Sequence, residues 1–204
     1  MKAKSMHKNS KSMQKVNLFI GAHPDDIELH CAGTILKLIE SGERCKAVVA
    51  TQGELRAGDR AEEQRKSFKA LGITGIFFNG KDGGIKQTLE TQSVIDNLLA
   101  TIKPARVFVH CPTDVHLDHQ NLSKMILVAH RHKDFDLYYY PPTDTIAPFD
   151  ANVYVDIGKY VSRKAEVLAM FASQKDRLQE RAWREETSFA YCVEKFQLVF
   201  KREL

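Results

Sequence analysis

Two short stretches concentrate the residue types that do chemistry. Ala22-His23-Pro24-Asp25-Asp26 sets an imidazole beside two adjacent carboxylates, and Thr113-Asp114-Val115-His116-Leu117-Asp118-His119 adds a His-x-Asp-His run far downstream. Two imidazoles and one carboxylate leave positions open on a bound ion, the composition of a catalytic zinc site rather than a structural one. Zn²⁺ suits that donor set, and Fe²⁺ and Mn²⁺ accept the same donor types. Neighbouring residues in a loop point in different directions, so Asp25 and Asp26 are not expected to bind an ion in the same way. One can ligate while the other serves as general base toward the ion's water, whose pKa zinc brings to about 7. His116 and Asp118, two residues apart, supply an imidazole that could stabilise an oxyanion or protonate a leaving amine, and a carboxylate to set its charge. Each stretch also has a plainer reading. An Asp pair ahead of a helix is common N-cap chemistry, and a single histidine at a strand end is often structural. Both stretches at matching ends of two strands favour a site.

The elements that must position them alternate along the chain. Apolar strand-like runs at 16–22, 45–51, 75–79 and 106–111 are each followed by a helix-length amphipathic segment. Asp25 or Asp26 can cap the first helix, Asp59 the second, which runs to about Leu71, and Pro104 closes the third. A fourth helix is expected over about 119–132, then strands at DLYYY and NVYVDI, a helix over 159–174, a further helix, and a last strand at FQLVF. Four consecutive strand–helix units predict an α/β fold with a mostly parallel sheet covered by helices on both faces. Ligands in that architecture bind at the carboxyl ends of the strands, beside the switch in strand order. The two polar stretches begin at such ends.

Composition narrows the function classes. The 204 residues carry a formal charge of +4, which hints at nucleic acid. The first fifteen residues hold five lysines and no carboxylate, which leaves 25 basic against 26 acidic side chains in 16–204. The body is therefore balanced, and no nucleic-acid partner is expected. Residues 1–15 read as a disordered basic tail and 16–204 as a single domain. No apolar run approaches a membrane span, and VNLFIGA is too short for a signal-peptide core. Cys31, Cys45, Cys111 and Cys192 are scattered without a CxxC, so a reduced, cytoplasmic protein is expected, with homo-oligomerisation open. Other histidines read as structural: His30 lies inside the first helix, and His110, one residue before the turn, reads as a core or supporting residue. The run YYYPP (138–142) could stack a sugar ring, although a buried strand end is the plainer description.

These residues resemble a known family. AHPDDIELHCAGT, TQGE (51–54), Arg60 with Glu63, Asp82-Gly83, His-x-Asp-His, YVDI (154–157), Lys164 and Ser173-Gln174 follow, in order, the pattern of the LmbE-like/PIG-L zinc-dependent N-acetylglucosaminyl deacetylases. The resemblance covers roughly 16–174. It implies a Rossmann-like three-layer sandwich and hydrolysis of the N-acetyl group of a small-molecule amino sugar or sugar conjugate. It further implies His23, Asp26 and His119 as zinc ligands and Asp25 as general base. His116 would be the electrostatic or acid partner, tuned by Asp118, and Arg60 and Asp82 would contact substrate on the rim. Local alternatives are an exposed helix-face charge for Arg60 and a turn former for Asp82. His30 and Ala32 stand where that family commonly has glycine, and Leu117 where proline is frequent, departures that bear on substrate preference.

Two other classes fit parts of the pattern. His116-x-Asp118 with a distant histidine also spells the facial triad of non-haem Fe(II) oxygenases. That triad usually sits on antiparallel strands, unlike the alternation found here. A non-catalytic sugar- or nucleotide-binding module with a bound metal is the other, but such a module has no use for a spare carboxylate at Asp25.

Overall fold

The computed structural model describes residues 15–55, 60–142, 147–176 and 192–201. The expected tail, apart from Lys15, and the body of the helix expected between 175 and the last strand lie outside them. Four parallel βα units open the chain, as the alternation predicts: β1 (Val16–Gly21), α1 (Asp26–Glu40), β2 (Arg44–Thr51), α2 (Arg60–Leu71), β3 (Thr74–Gly80), α3 (Leu89–Ile102), β4 (Arg106–His110) and α4 (Leu117–His130). After β5 (Asp136–Tyr140) and β6 (Val153–Asp156) come α5 (Val161–Leu168) and β7 (Val193–Phe200). The segment expected as one helix over 159–174 is divided. Single 3₁₀ turns at Gly158–Tyr160 and Ala172–Gln174 flank α5.

One seven-stranded sheet runs β3-β2-β1-β4-β5-β7-β6. β1 to β5 are mutually parallel, and β7 pairs antiparallel with both β5 and β6. Strand order reverses between β1 and β4, so the crevice for a ligand opens at the carboxyl ends of those two strands.

Period-2 alternation divides β1 between two cores. Leu18 and Ile20 face α3 and α4 through Leu99, Leu122 and Ile126, while Phe19 faces α1, α2 and α5 through Ile27, Phe68 and Val167. Helices therefore cover both faces, the three-layer arrangement that buried parallel strands require. Each fully buried Leu, Ile or Phe contributes about 1.5–3 kcal/mol by leaving water, so β1 and its neighbours are a rigid floor. In α1, Ile27, Cys31 and Ile35 recur at helical spacing and anchor the helix that carries Asp26. Gly33 lets Ile157 pack against that helix, since a Cβ there would stand 2.7 Å from three Ile157 atoms.

Tyr138 to Tyr140 belong to this scaffold and not to a sugar platform. Tyr138 stacks on Phe108 at 4.7 Å, and Tyr140 is wholly buried and donates its hydroxyl to the Ile20 carbonyl at 2.9 Å. His30 is buried in α1 and stacks on Tyr140 at 5.0 Å.

Candidate active site

The loops after β1 and β4 bring His23, Asp26 and His119 together. His23 Nδ1 stands 3.3 Å from His119 Nε2, and both nitrogens lie 3.6 Å from Asp26 Oδ2. The remaining nitrogen of each ring faces a carboxylate. His119 Nδ1 meets Asp114 Oδ2 at 2.9 Å, while His23 Nε2 lies 3.1 Å from both Asp118 Oδ2 and Asp82 Oδ1. Those acids hold the N–H on the outer nitrogen of each ring and aim the two inner nitrogens toward Asp26.

Burial and charge act against one another across this cluster. Burial alone would lower the pKa of His23, but hydrogen bonds to Asp118 and Asp26 and the charges of Asp26 and Asp82 outweigh it and raise the pKa to about 10. Burial would raise Asp26, yet His119 and His110 hold it well below the usual carboxylate range. His110 itself is pushed down to about 4 by burial and by the neighbouring His119. Its Nε2 accepts the Ala22 N–H at 3.0 Å and lies 3.2 Å from Asp26 Oδ2, so the ring packs behind Asp26.

Asp25 adopts a left-handed backbone with φ 92° and makes no side-chain cap to α1, so the capping reading is not realised. Its Oδ2 accepts from Arg60 Nη2 at 2.9 Å, and its N–H donates to Gln64 Oε1 at 3.1 Å. Asp26 likewise spends its carboxylate elsewhere, with Oδ2 accepting the His23 N–H at 2.7 Å.

Three expected residues lie elsewhere than their expected roles placed them. Arg60 is only 3% exposed and not on the rim; its guanidinium also donates to the Pro24 carbonyl at 2.5 Å, clamping the loop of the acid pair. Asp82 is buried against His23 and not displayed on the surface; its N–H donates to Glu54 Oε1 at 2.7 Å and its Oδ2 accepts from Leu55 N–H at 3.4 Å. The Asp118 carboxylate hydrogen-bonds His23, and only the Asp118 backbone N–H meets the His116 ring; the carboxylate also accepts from the Gly83 and Ile85 N–H groups at 2.8 and 3.0 Å. The cause is helical. Asp118 lies in the first turn of α4 and points under the site, while His116 is the N-cap.

His116 stays exposed, and its Nδ1 accepts from the Asp118 N–H at 3.2 Å. Burial, with the charges of His119 and His23, lowers its pKa, so the neutral ring with its proton on Nε2 is the form presented outward. Asp118 and His116 thus face different groups, which removes the His-x-Asp arm of an oxygenase triad.

Asp114, Gln64 and Glu28 complete the site without having been assigned roles in it from sequence, and His110 supports it as one of its two expected readings has it. Asp114 lies inside the second polar stretch, five residues before His119, and that spacing was its available signal. Gln64 stands one helical turn beyond Arg60 on the same face of α2.

Among the described residues, overlapping groups at this one place could hold a metal ion: His23 with His116 and His119, Asp26 with His110 and His119, and His23 with Asp82 and Asp118. No helix among the described residues is long and apolar enough to cross a membrane.

Known proteins resemble this chain in sequence or in fold. An uncharacterised deacetylase of Escherichia coli K12, YaiS, is 33% identical over 133 residues, covering 60% of this chain and 72% of its own. The N,N′-diacetylchitobiose deacetylase of Pyrococcus horikoshii, solved with an inhibitor, superposes with a TM-score of 0.77 at 19% identity over 94% of this chain and 86% of its own. GalB, the 4-carboxy-2-hydroxymuconate hydratase of Pseudomonas putida KT2440, gives 0.78 at 19% identity over 94% and 98%. At such identities the structures speak for the fold, which evidently hosts more than one chemistry. Sequence is more specific: the model of the GlcNAc-PI de-N-acetylase family, PIG-L, matches residues 18–130, and it is to this family of deacetylases that the chain belongs.

Proposed function

We propose that the protein is a zinc-dependent hydrolase that removes the N-acetyl group from a small amino sugar or amino-sugar conjugate. The observation that carries this reading is the donor triangle with edges of 3.3, 3.6 and 3.6 Å formed by His23 Nδ1, His119 Nε2 and Asp26 Oδ2. Donors on a tetrahedral zinc with bonds of about 2.0–2.1 Å stand roughly 3.3–3.4 Å apart, so these atoms fit the ion with little movement. When bound, the ion would polarise the acetyl carbonyl and lower the pKa of water beside it.

The chain's own groups supply the proton chemistry. Asp25, held through one oxygen by Arg60, takes a proton from the attacking water. His116, neutral and exposed, offers its Nε2–H to the oxygen of the carbonyl as negative charge develops there. The proton collected on Asp25 then passes to the leaving nitrogen as the C–N bond breaks, giving acetate and the free amine. Asp118 and Asp114 keep the His23 and His119 rings oriented throughout.

Amine release from a panel of N-acetylglucosamine derivatives tests the reading, with wild type, Asp25→Ala and His119→Ala compared at measured zinc, iron and manganese content. His119→Ala should lose metal and activity together. Asp25→Ala should keep its metal and lose about 10²–10⁴ in kcat, the worth of a general base. Equal turnover by all three proteins, or no amine released by wild type from any member, would overturn it.

A further inference from the structure

Helix α2 turns a buried polar stripe toward the start of α1. Arg60, Gln64 and Ser67 recur at helical spacing, so they share one face, and all are buried. Opposite them is Glu28, fully buried two residues past Asp26. A carboxylate in such a place is costly unless its hydrogen bonds are supplied. Here Gln64 Nε2 and Ser67 Oγ both donate to Glu28 Oε1 at 2.5 Å. The other end of the Gln64 amide accepts the Asp25 N–H at 3.1 Å. These contacts fix which way the amide faces: reversing it would set its oxygen against Glu28 Oε1 and its NH₂ against the Asp25 N–H.

The tether is attached where the backbone needs one. Asp25 has φ 92°, a region that residues with a side chain avoid. At the beginning of a helix its N–H has no intrahelical partner, so the Gln64 oxygen is the external acceptor that fixes it. Left-handed geometry at position 25 directs two consecutive carboxylates to different tasks. Asp26 turns to the histidines, and Asp25 turns to Arg60.

We propose that Gln64 is a positioning residue for the hydrolysis, transmitting the fixed Glu28 carboxylate to the Asp25 backbone and so holding the general base in its left-handed conformation. The proposal rests on the reading of Asp25 as general base. Gln64 touches neither ion nor substrate; it acts through Asp25.

A double-mutant cycle on the metal-loaded protein tests this. Gln64→Leu keeps the volume and removes both hydrogen bonds. It should lower kcat about 10–100-fold, as expected for a displaced catalytic group, with KM within about threefold and metal content unchanged. In an Asp25→Asn background the same substitution should change the residual rate by less than about threefold, because the group it positions is gone. A merely structural role would lower both backgrounds alike. Hydrogen exchange gives a readout that needs no turnover: the Asp25 amide should be protected in wild type and exposed in Gln64→Leu. Should that variant fail to fold, Ser67→Ala loosens the Glu28 end of the tether and should cost about two- to fivefold in kcat at constant KM. Equal losses in both backgrounds, an equally protected Asp25 amide in Gln64→Leu, or an unchanged kcat in Ser67→Ala overturns the proposal. If wild type releases no amine from any acetamido sugar, the proposed function fails, and the exchange measurement still decides whether Gln64 holds Asp25.

Discussion

Replacing Asp114 by Asn changes one oxygen for an NH₂, and the structure says what that does. In the native protein Asp114 Oδ2 faces His119 Nδ1 at 2.9 Å and Oδ1 accepts the His116 N–H at 2.8 Å, so both oxygens act as acceptors. Asparagine has one acceptor to offer. If its oxygen faces His119, the His116 N–H meets an NH₂, and the start of α4 loses a buried bond. If the NH₂ faces His119, the ring adopts the other tautomer, with its proton on Nε2, the nitrogen that points at His23 and Asp26. The first choice costs about 1–3 kcal/mol for the unsatisfied group; the second keeps both bonds at the expense of the tautomer. The second choice puts an N–H where the proposed metal site needs a lone pair. Supporting carboxylates of this kind are worth about 10–100-fold in metal affinity, so Asp114→Asn should weaken zinc binding within that range while the protein remains folded. Competition against a chromophoric chelator at fixed pH measures it directly, with thermal denaturation of the metal-free proteins as the control for folding. A folded Asp114→Asn variant that binds zinc within about twofold of wild type would refute the orientation argument, since the range expected for such a carboxylate begins near tenfold.

Two further outcomes are expected of the site and its scaffold. In the metal-free protein the pKa of His23 is raised from 6.5 to about 10, so its protonated form contributes stability fully below pH 6.5 and loses that contribution as pH rises toward 10. Metal must displace that proton, so apparent zinc affinity should rise about tenfold per pH unit between roughly pH 7 and 9, read by competition titration, and a flat profile would contradict the His23 assignment. In the scaffold, Gly33→Ala would bring a Cβ to 2.7 Å from three atoms of Ile157. Overpacking of that kind costs about 1–3 kcal/mol, a fall of roughly 2–12 °C in Tm for a domain of this size in thermal denaturation; an unchanged Tm would show that α1 and Ile157 can separate freely.

The parallel half of the fold was legible because its signals are local. β1 to β4 are short apolar runs punctuated by Gly and Pro, and the helices between them carry period-3.6 stripes. The segment over 159–174 was misjudged as continuous because its apolar spacing is helical throughout. What interrupts it is a change of local hydrogen-bond spacing: the Tyr160, Phe171 and Gln174 N–H groups bond carbonyls three residues back, at Ile157, Leu168 and Phe171, tightening both ends into separate turns.

At the site, residue types announced which groups gather, but spacing could not say which pairs touch. His116 and Asp118 look like partners when the chain is read as an extended turn, where positions i and i+2 share a side. The helix begins at Leu117, and from that residue on the period is 3.6. Asp118 is thereby swung beneath the cluster to His23, a residue far away in sequence, while His116 remains outside as the cap. Asp114, ahead of the helix, meets the His119 ring, a pairing the extended reading did not offer. Arg60 illustrates the complementary limit. A guanidinium at the start of a helix suggests exposure, and only the contact with Pro24 and Asp25 across two elements shows that its charge is directed inward. The consequence is electrostatic: the buried Arg60 cation faces the Asp25 carboxylate at 2.9 Å, and of the site residues expected from sequence it is His116 that stands on the exposed side.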